Sequence, residues 1–169
     1  MIRPVTEGDA AELAALLVAN RDYLAPWDPI REESYYTEDG QRRILTDLLR
    51  AGTSIPYAIV RDGRIAGRVN LNNVVRGPFL SASLGYWVAE SDAGRGLASA
   101  AVAAVVERAF TEHGLHRVEA GTLTHNVRSQ RVLERNGFTR FGLAPRYLRI
   151  AGEWQDHVLF QRLNEPDRT

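Results

Sequence analysis

Apolar and polar positions along the chain follow two rhythms, and the changes between them mark out elements. Thr6-Glu7-Gly8-Asp9 reads as a capping box ahead of a helix over Ala10 to Val18, with Leu13, Leu16 and Leu17 on one apolar stripe. A short strand precedes it. Asn20 to Thr37 carries Tyr23, Leu24, Pro26, Trp27, Pro29, Tyr35 and Tyr36 without a period, and reads as a loop or broken helix. Thr37 then caps a second helix, with Ile44, Leu45, Leu48 and Leu49 on one face and Gly52 just beyond its end.

Beyond Gly52 the period shortens to two. Ile55 to Arg61 and Arg64 to Leu71 are β-rich runs joined by Asp62-Gly63, a pair that favours a tight hairpin, and Leu80 to Glu90 adds a third strand. The middle of the chain is therefore expected to be an antiparallel meander. Helical spacing returns with Leu97, Ala101, Val102, Val105, Val106 and Phe110, which predicts a helix from Leu97 to Phe110. His116 to Leu123 follows as a strand, so Leu84 to Leu123 forms a strand-turn-helix-strand unit. Ser129 to Arg135 reads as a short helix stopped by Asn136-Gly137. Two closing strands, near Phe138 to Ile150 and Trp154 to Leu163, turn at Ala151-Gly152.

Composition narrows the chemistry. At 169 residues, with 44% hydrophobic and 25% charged positions, the chain has the length and make-up of one ordinary globular domain. The 21 basic residues are all Arg and balance 21 acidic ones. Such neutrality argues against direct nucleic-acid binding driven by net charge, and the lack of Lys excludes a lysine Schiff base. Without cysteine there is no disulfide, thiol catalysis or thiolate metal site, and the four histidines lack metal-helix spacing, so no metal is expected. No apolar run approaches the length of a membrane span. A cytoplasmic protein without membrane attachment is expected.

The segment from Leu84 through Asp92-Ala93-Gly94-Arg95-Gly96-Leu97-Ala98-Ser99 passes from strand through a glycine turn into a helix. A helix start offers unpaired N–H groups and partial positive charge, and glycines let a pyrophosphate come close to the backbone. No Gly-Lys-Ser/Thr follows, so this is not a P-loop, and the dinucleotide glycine spacing is missing as well. Read by themselves, Gly94 and Gly96 equally suit a plain tight turn.

The context of that turn resembles a known family. Gly94-Arg95-Gly96-Leu97-Ala98 is similar to the coenzyme A pyrophosphate signature of the GNAT N-acetyltransferases, with Ala93 at the position where Gln or Arg is usual. Thr124-His125-Asn126-Val127-Arg128-Ser129 through Asn136-Gly137-Phe138 resembles the Asn-x-x-Ser helix and Gly-Phe ending of the RimJ/RimL branch, the protein N-terminal acetyltransferases. Asn20 to Trp27, Asn73 to Phe79 and Gly152 to Leu159 are similar to the RimJ type in particular, which acetylates the N-terminal alanine of a small-subunit ribosomal protein. The resemblance covers nearly the whole chain. It implies an α/β (α+β) fold of GNAT type over a single domain, residues 1–169. The central sheet would be mixed and mostly antiparallel, of six to seven strands, with flanking helices and a splayed strand pair that holds the cofactor.

Acetyl-CoA is then the implied co-substrate. The acceptor is a protein N-terminus, a ribosomal protein among the candidates, or a small amine, and the protein would act as a monomer or homodimer. Cofactor contacts map to the backbone of Trp87, Val88 and Ala89, to Gly94, Arg95, Gly96, Leu97, Ala98 and Ser99, and to Asn126 and Ser129. Exposed N–H groups of Trp87, Val88 and Ala89 would serve the pantetheine arm and the thioester oxygen. Asn126 would position the thioester, and Asn and Ser also suit helix capping there. Ser129 would protonate the leaving sulfur. Tyr147, nine residues after Phe138, competes for that role, as relatives place an acidic Tyr there. No general base is evident: Leu148 stands where some RimL enzymes carry Glu. A free α-amine with a pKa near 8 is already about one-tenth neutral at pH 7, so a water relay would suffice. Trp27, Glu33 and Tyr35 are the candidate acceptor contacts, with Asp28 and Glu32 as further loop acids. The remaining reading is a non-catalytic acyl-CoA-binding module.

Overall fold

A computed structural model describes residues 1–165; the last four residues of the expected 1–169 domain lie outside the described residues. The first strand, β1 (Ile2–Pro4), runs into the capping box: the Thr6 N–H donates to the Asp9 carboxylate at 2.8 Å. Arg3 clamps the same carboxylate at 2.8 and 2.9 Å. Helix α1 (Ala10–Ala19) follows and buries Ala10, Leu13, Ala14 and Leu17. The aromatic segment is a broken helix, with α2 (Arg21–Leu24) passing into 3₁₀ turns at Ala25–Trp27 and Glu33–Tyr36. Proline at 26 and 29 denies it a regular ladder. Helix α3 (Glu38–Ala51) begins where the Thr37 hydroxyl accepts from the Gly40 N–H, and it ends at Gly52 in a left-handed turn.

The meander forms as the alternation predicts. Strands β2 (Ile55–Arg61) and β3 (Arg64–Val75) are joined by Asp62 and Gly63, both at positive φ, as a tight hairpin requires. Strand β4 (Ser81–Val88) ends earlier than the sequence suggested. The Glu90 N–H leaves the ladder to donate to the buried Asn20 side chain at 2.8 Å, and Glu90–Asp92 becomes a 3₁₀ turn. Helix α4 (Leu97–Thr111), strand β5 (Arg117–Leu123), helix α5 (Val127–Arg135), and strands β6 (Thr139–Ile150) and β7 (Glu153–Leu163) complete the chain. Helix α5 starts two residues before the expected Ser129 because Asn126 caps it.

All seven strands lie in one sheet of order β1-β2-β3-β4-β5-β7-β6, mostly antiparallel and flanked by helices. Among the described residues only β4 and β5 run parallel, as the α4 crossover requires. On one face, Val102, Val105, Val106 and Ala109 of α4 are fully buried against Val69, Leu71, Val118 and Phe160. Each such Val contributes roughly 1.5–3 kcal/mol. On the other face, α1 and α3 bring Ala10, Leu13 and Leu45 onto Ala58 and Ile65. The pairing of β4 with β5 covers three positions only, Ser81 to Ser83 against Arg117 to Glu119. Strand β4 stays on β3 as far as Val88, and β5 stays on β7 as far as Leu123. The two strands therefore part beyond Ser83 and open a wedge in mid-sheet.

Candidate functional site

The wedge is framed by a braced turn. Asp92, its side chain fully buried, accepts from Arg61 at 3.0 Å and from Arg64 at 3.0 and 3.1 Å. Chiefly through the Arg64 hydrogen bonds, its carboxyl is held below the usual carboxylate range. This bracing fixes where the chain leaves β4. Gly94 and Gly96 then adopt φ of +74° and +77°, a region that L side chains rarely enter, and the space where a Cβ would stand is open at both. The first intrahelical bond of α4 runs from the Ala100 N–H to the Gly96 carbonyl. The N–H groups of Leu97, Ala98 and Ser99 thus have no intrahelical acceptor and sit at the positive end of the helix dipole.

A cleft of about 380 Å³ connects this turn with the wedge. Its walls come from Tyr86, Trp87 and Val88 of β4, from Gly94 and Gly96 to Ser99, and from Asn126 and Ser129 at the start of α5. Arg128, Arg131 and Arg135 add three guanidinium groups along α5, and Tyr23, Leu24 and Trp27 close the far side. The cleft suits an extended ligand with its anionic end at the glycine turn.

Inside the cleft the Ser129 Oγ lies 2.7 Å from the Tyr86 hydroxyl, which also reaches the Ser129 carbonyl at 3.3 Å. Burial pushes the Tyr86 phenol up to about 12, against the opposing Ser129 hydrogen bond, so it keeps its proton at any working pH. The Asn126 side-chain oxygen accepts from the Ser129 N–H at 3.2 Å, the cap geometry, and its amide group is left to other partners.

Strand β4 departs from expectation in its backbone. The Ala89 N–H donates to the Ala66 carbonyl at 2.8 Å, and Ala89 is fully buried, so it offers no exposed donor. In an antiparallel ladder hydrogen-bonded and open pairs alternate. Trp87, two residues back and opposite Arg68, therefore also points its N–H toward β3. The donors facing the wedge belong to Val88 and Tyr86.

The other candidates divide. Trp27 lines the cleft, its ring 5.6 Å from that of His125. Glu33 does not reach it: the side chain is 81% exposed and paired to Arg21. Tyr35 lines a separate cavity of about 200 Å³ together with Asp28, Ile30 and Arg31. Tyr147 is half-exposed, packs against His157 at 5.5 Å and lies beside Gly121 of β5, and it is not one of the residues that line the cleft. Arg95 is exposed on the turn. Sequence reasoning missed Tyr86, the Asp92 brace and the three α5 arginines. The arginines did carry a signal, since residues 128, 131 and 135 recur at helical spacing beside Ser129.

Among the described residues no group of His, Asp and Glu could hold a metal ion, and no helix is long and apolar enough to cross a membrane. Residues 1–139 match the family model described as an acetyltransferase (GNAT) domain. The chain is 37% identical to the probable N-acetyltransferase YjcK of Bacillus subtilis, over 98% of this chain and 94% of that protein. It is 36% identical to the [ribosomal protein uS5]-alanine N-acetyltransferase of Escherichia coli, over 100% of this chain and 89% of that one. Its fold matches Mycobacterium smegmatis RimJ in complex with CoA-disulfide with a TM-score of 0.91 and 36% identity, covering 96% of this chain and 80% of that chain.

Proposed function

The chain belongs to the acetyltransferase (GNAT) family and is an acetyl-CoA-dependent N-acetyltransferase, and on that premise we propose that its acceptor is the N-terminal α-amine of a protein, of the alanine-initiated ribosomal type. One observation carries this reading. The 36% identity to the uS5-alanine enzyme extends over the whole chain, the acceptor-side segment between α1 and α3 included. That segment is also well tied down: Asn20 holds the Glu90 N–H, and the Asp28 carbonyl accepts from Ala151 in the β6–β7 turn at 3.0 Å. Trp27 thereby lines the same cleft as Ser129, its ring 5.6 Å from that of His125 just before α5.

The residues of the cleft fit coenzyme A. The N–H groups of Leu97, Ala98 and Ser99, reached over two glycines without side chains, would hold the pyrophosphate, and Arg128, Arg131 and Arg135 would meet the remaining phosphate charge. Acetyl-CoA supplies the activated acyl group. Val88 and Tyr86 would aim backbone N–H groups at the thioester oxygen, a placement worth about 3–4 kcal/mol where charge develops. Ser129 would give its proton to the departing sulfur while the Tyr86 hydroxyl donates to Ser129 Oγ, which strengthens Ser129 as a donor. Thiolate is a good leaving group, so a weak acid suffices. The amine enters neutral, the proton it sheds on acylation passes to water, and a proton returns from water to Ser129.

The test is acetyl-CoA with peptides starting in Ala, Ser or Met, run beside polyamines and other small amines. Gain of one acetyl group at the peptide α-amine is expected. Acetylation confined to the small amines would overturn the acceptor assignment.

A further inference from the structure

Among the described residues, Arg68 is the one charged side chain near the site whose burial nothing yet described explains. It is 7% exposed on β3, directly opposite Trp87 of the wedge strand. Among the described residues it has no carboxylate partner; its hydrogen bond is from Nη2 to the Asn70 side-chain oxygen at 3.3 Å, and its Nε is buried with no acceptor. A guanidinium presents five donors and does not shed its charge by deprotonation. Burying one without an acid is costly.

Its surroundings add positive charge. Val69 and Leu71 face α4, so alternation turns Arg68 and Asn70 to the other face, that of α1 and α3 and of the acceptor-side segment. There Arg68 lies within electrostatic range of Tyr35 and Arg31. Arg31 is already paired to Asp28, so the cluster holds two guanidinium groups against one carboxylate. Tyr35, partly buried, adds a hydroxyl, and with Arg31 it walls the 200 Å³ cavity in the segment that carries Trp27. Among the described residues this cluster is one negative charge short, on the face that carries the segment between α1 and α3.

We propose that Arg68, held by Asn70, binds a carboxylate of the acceptor, an acidic side chain at its second or third residue. This rests on the reading that the acceptor is a peptide amine, and it names a feature of the sequence that follows that amine. The planar fork of Arg68 matches a carboxylate in two-point contact, and Asn70 holds it in place. The peptide would run from the wedge at Trp87 across β3, so that the acetylated residue and the acidic one sit on neighbouring strands.

The experiment compares binding of Ala-Glu-Ala and Ala-Ala-Glu amides with their Gln counterparts to the CoA-loaded protein by calorimetry, for the wild type and Arg68→Met. Amidation removes the terminal carboxylate, and CoA in place of acetyl-CoA keeps turnover out of the measurement. At least one Glu peptide should bind the wild type about tenfold more tightly than its Gln twin, as expected for a charged hydrogen bond. That ratio should fall to about one in Arg68→Met. Equal binding of every pair to the wild type, absence of binding included, overturns the proposal without any variant; so does a preference that survives Arg68→Met. A Glu peptide that binds selectively yet is never acetylated would instead sink the N-terminal acceptor and leave the Arg68 site standing.

Discussion

Removing the Ser129 hydroxyl is the sharpest perturbation of the cleft, because its consequences for turnover and for stability separate. If Ser129 Oγ donates to the departing sulfur, Ser129→Ala deletes a hydrogen bond to a charged atom, worth about 1.5–3 kcal/mol. Turnover should then drop by roughly 10- to 150-fold. Affinity for coenzyme A should hardly change, since the glycine turn and the α5 arginines remain. Stability responds on its own account. Tyr86 loses its partner at 2.7 Å but keeps the Ser129 carbonyl at 3.3 Å, so the buried phenol is weakened without being orphaned. The cost sits at the low end of the usual range, about 1 kcal/mol, or a Tm shift of about 2–4 °C. Thiol release at saturating acetyl-CoA gives kcat, calorimetry gives the Kd for CoA, and a thermal melt gives Tm. Undiminished turnover with the Tm shift present would refute the acid role of Ser129 and leave Tyr147 as the candidate.

Other expectations follow from the same geometry. Gly96→Val places a β-branched residue at φ +77° in the path of the ligand, with strain of about 1–2 kcal/mol; CoA affinity should collapse, and an unchanged Kd would dispose of the glycine turn as the pyrophosphate site. Arg131→Ala combined with Arg135→Ala should weaken CoA binding and flatten its dependence on salt, which a titration at two ionic strengths reads directly. The Asp92 carboxyl titrates lower in the folded chain than an unpaired Asp does. The native state therefore binds fewer protons in acid, and the contribution of Asp92 is complete above about pH 4–5 and lost as pH falls further. Urea midpoints followed down to pH 2.5 should decline less steeply in Asp92→Asn than in the wild type; parallel curves would mean that the brace contributes no pH-dependent stability.

What could be read in advance depended on distance along the chain. The α3 stripe ending at Gly52, the Asp62-Gly63 hairpin and the Gly94-to-Ser99 turn are local, written within a few residues, and each formed where its pattern stands. Tyr86 and Ser129 are 43 residues apart and meet only because β4 and α5 border the same wedge. The direction of the β4 donors was hidden for a related reason. Which of Tyr86, Trp87, Val88 and Ala89 faces the wedge depends on register with β3, and one residue of slip reverses it. The sequence groups Glu33 and Tyr35 with Trp27 because one loop holds all three, whereas the folded loop pairs Glu33 with Arg21 and sets Tyr35 at a neighbouring cavity beside Arg31. The path of that loop depends on its tethers at Asn20 and Asp28, which no local pattern records.

Three paired residues join β4 to β5, and this seam divides the protein mechanically. The strands on either side are each well laced to their own neighbours, while across the seam the join is short and leans on the packing of α4. A ligand lying in the wedge would act as a rivet between the halves, touching β4 on one side and the start of α5 on the other. Two responses of the molecule are then coupled. Resistance to unfolding should climb with the logarithm of CoA concentration once the site fills, and amide protons next to the seam, rather than those of the outer strands, should slow most in hydrogen exchange. The protein's firmness would thus report on the supply of its own acyl donor.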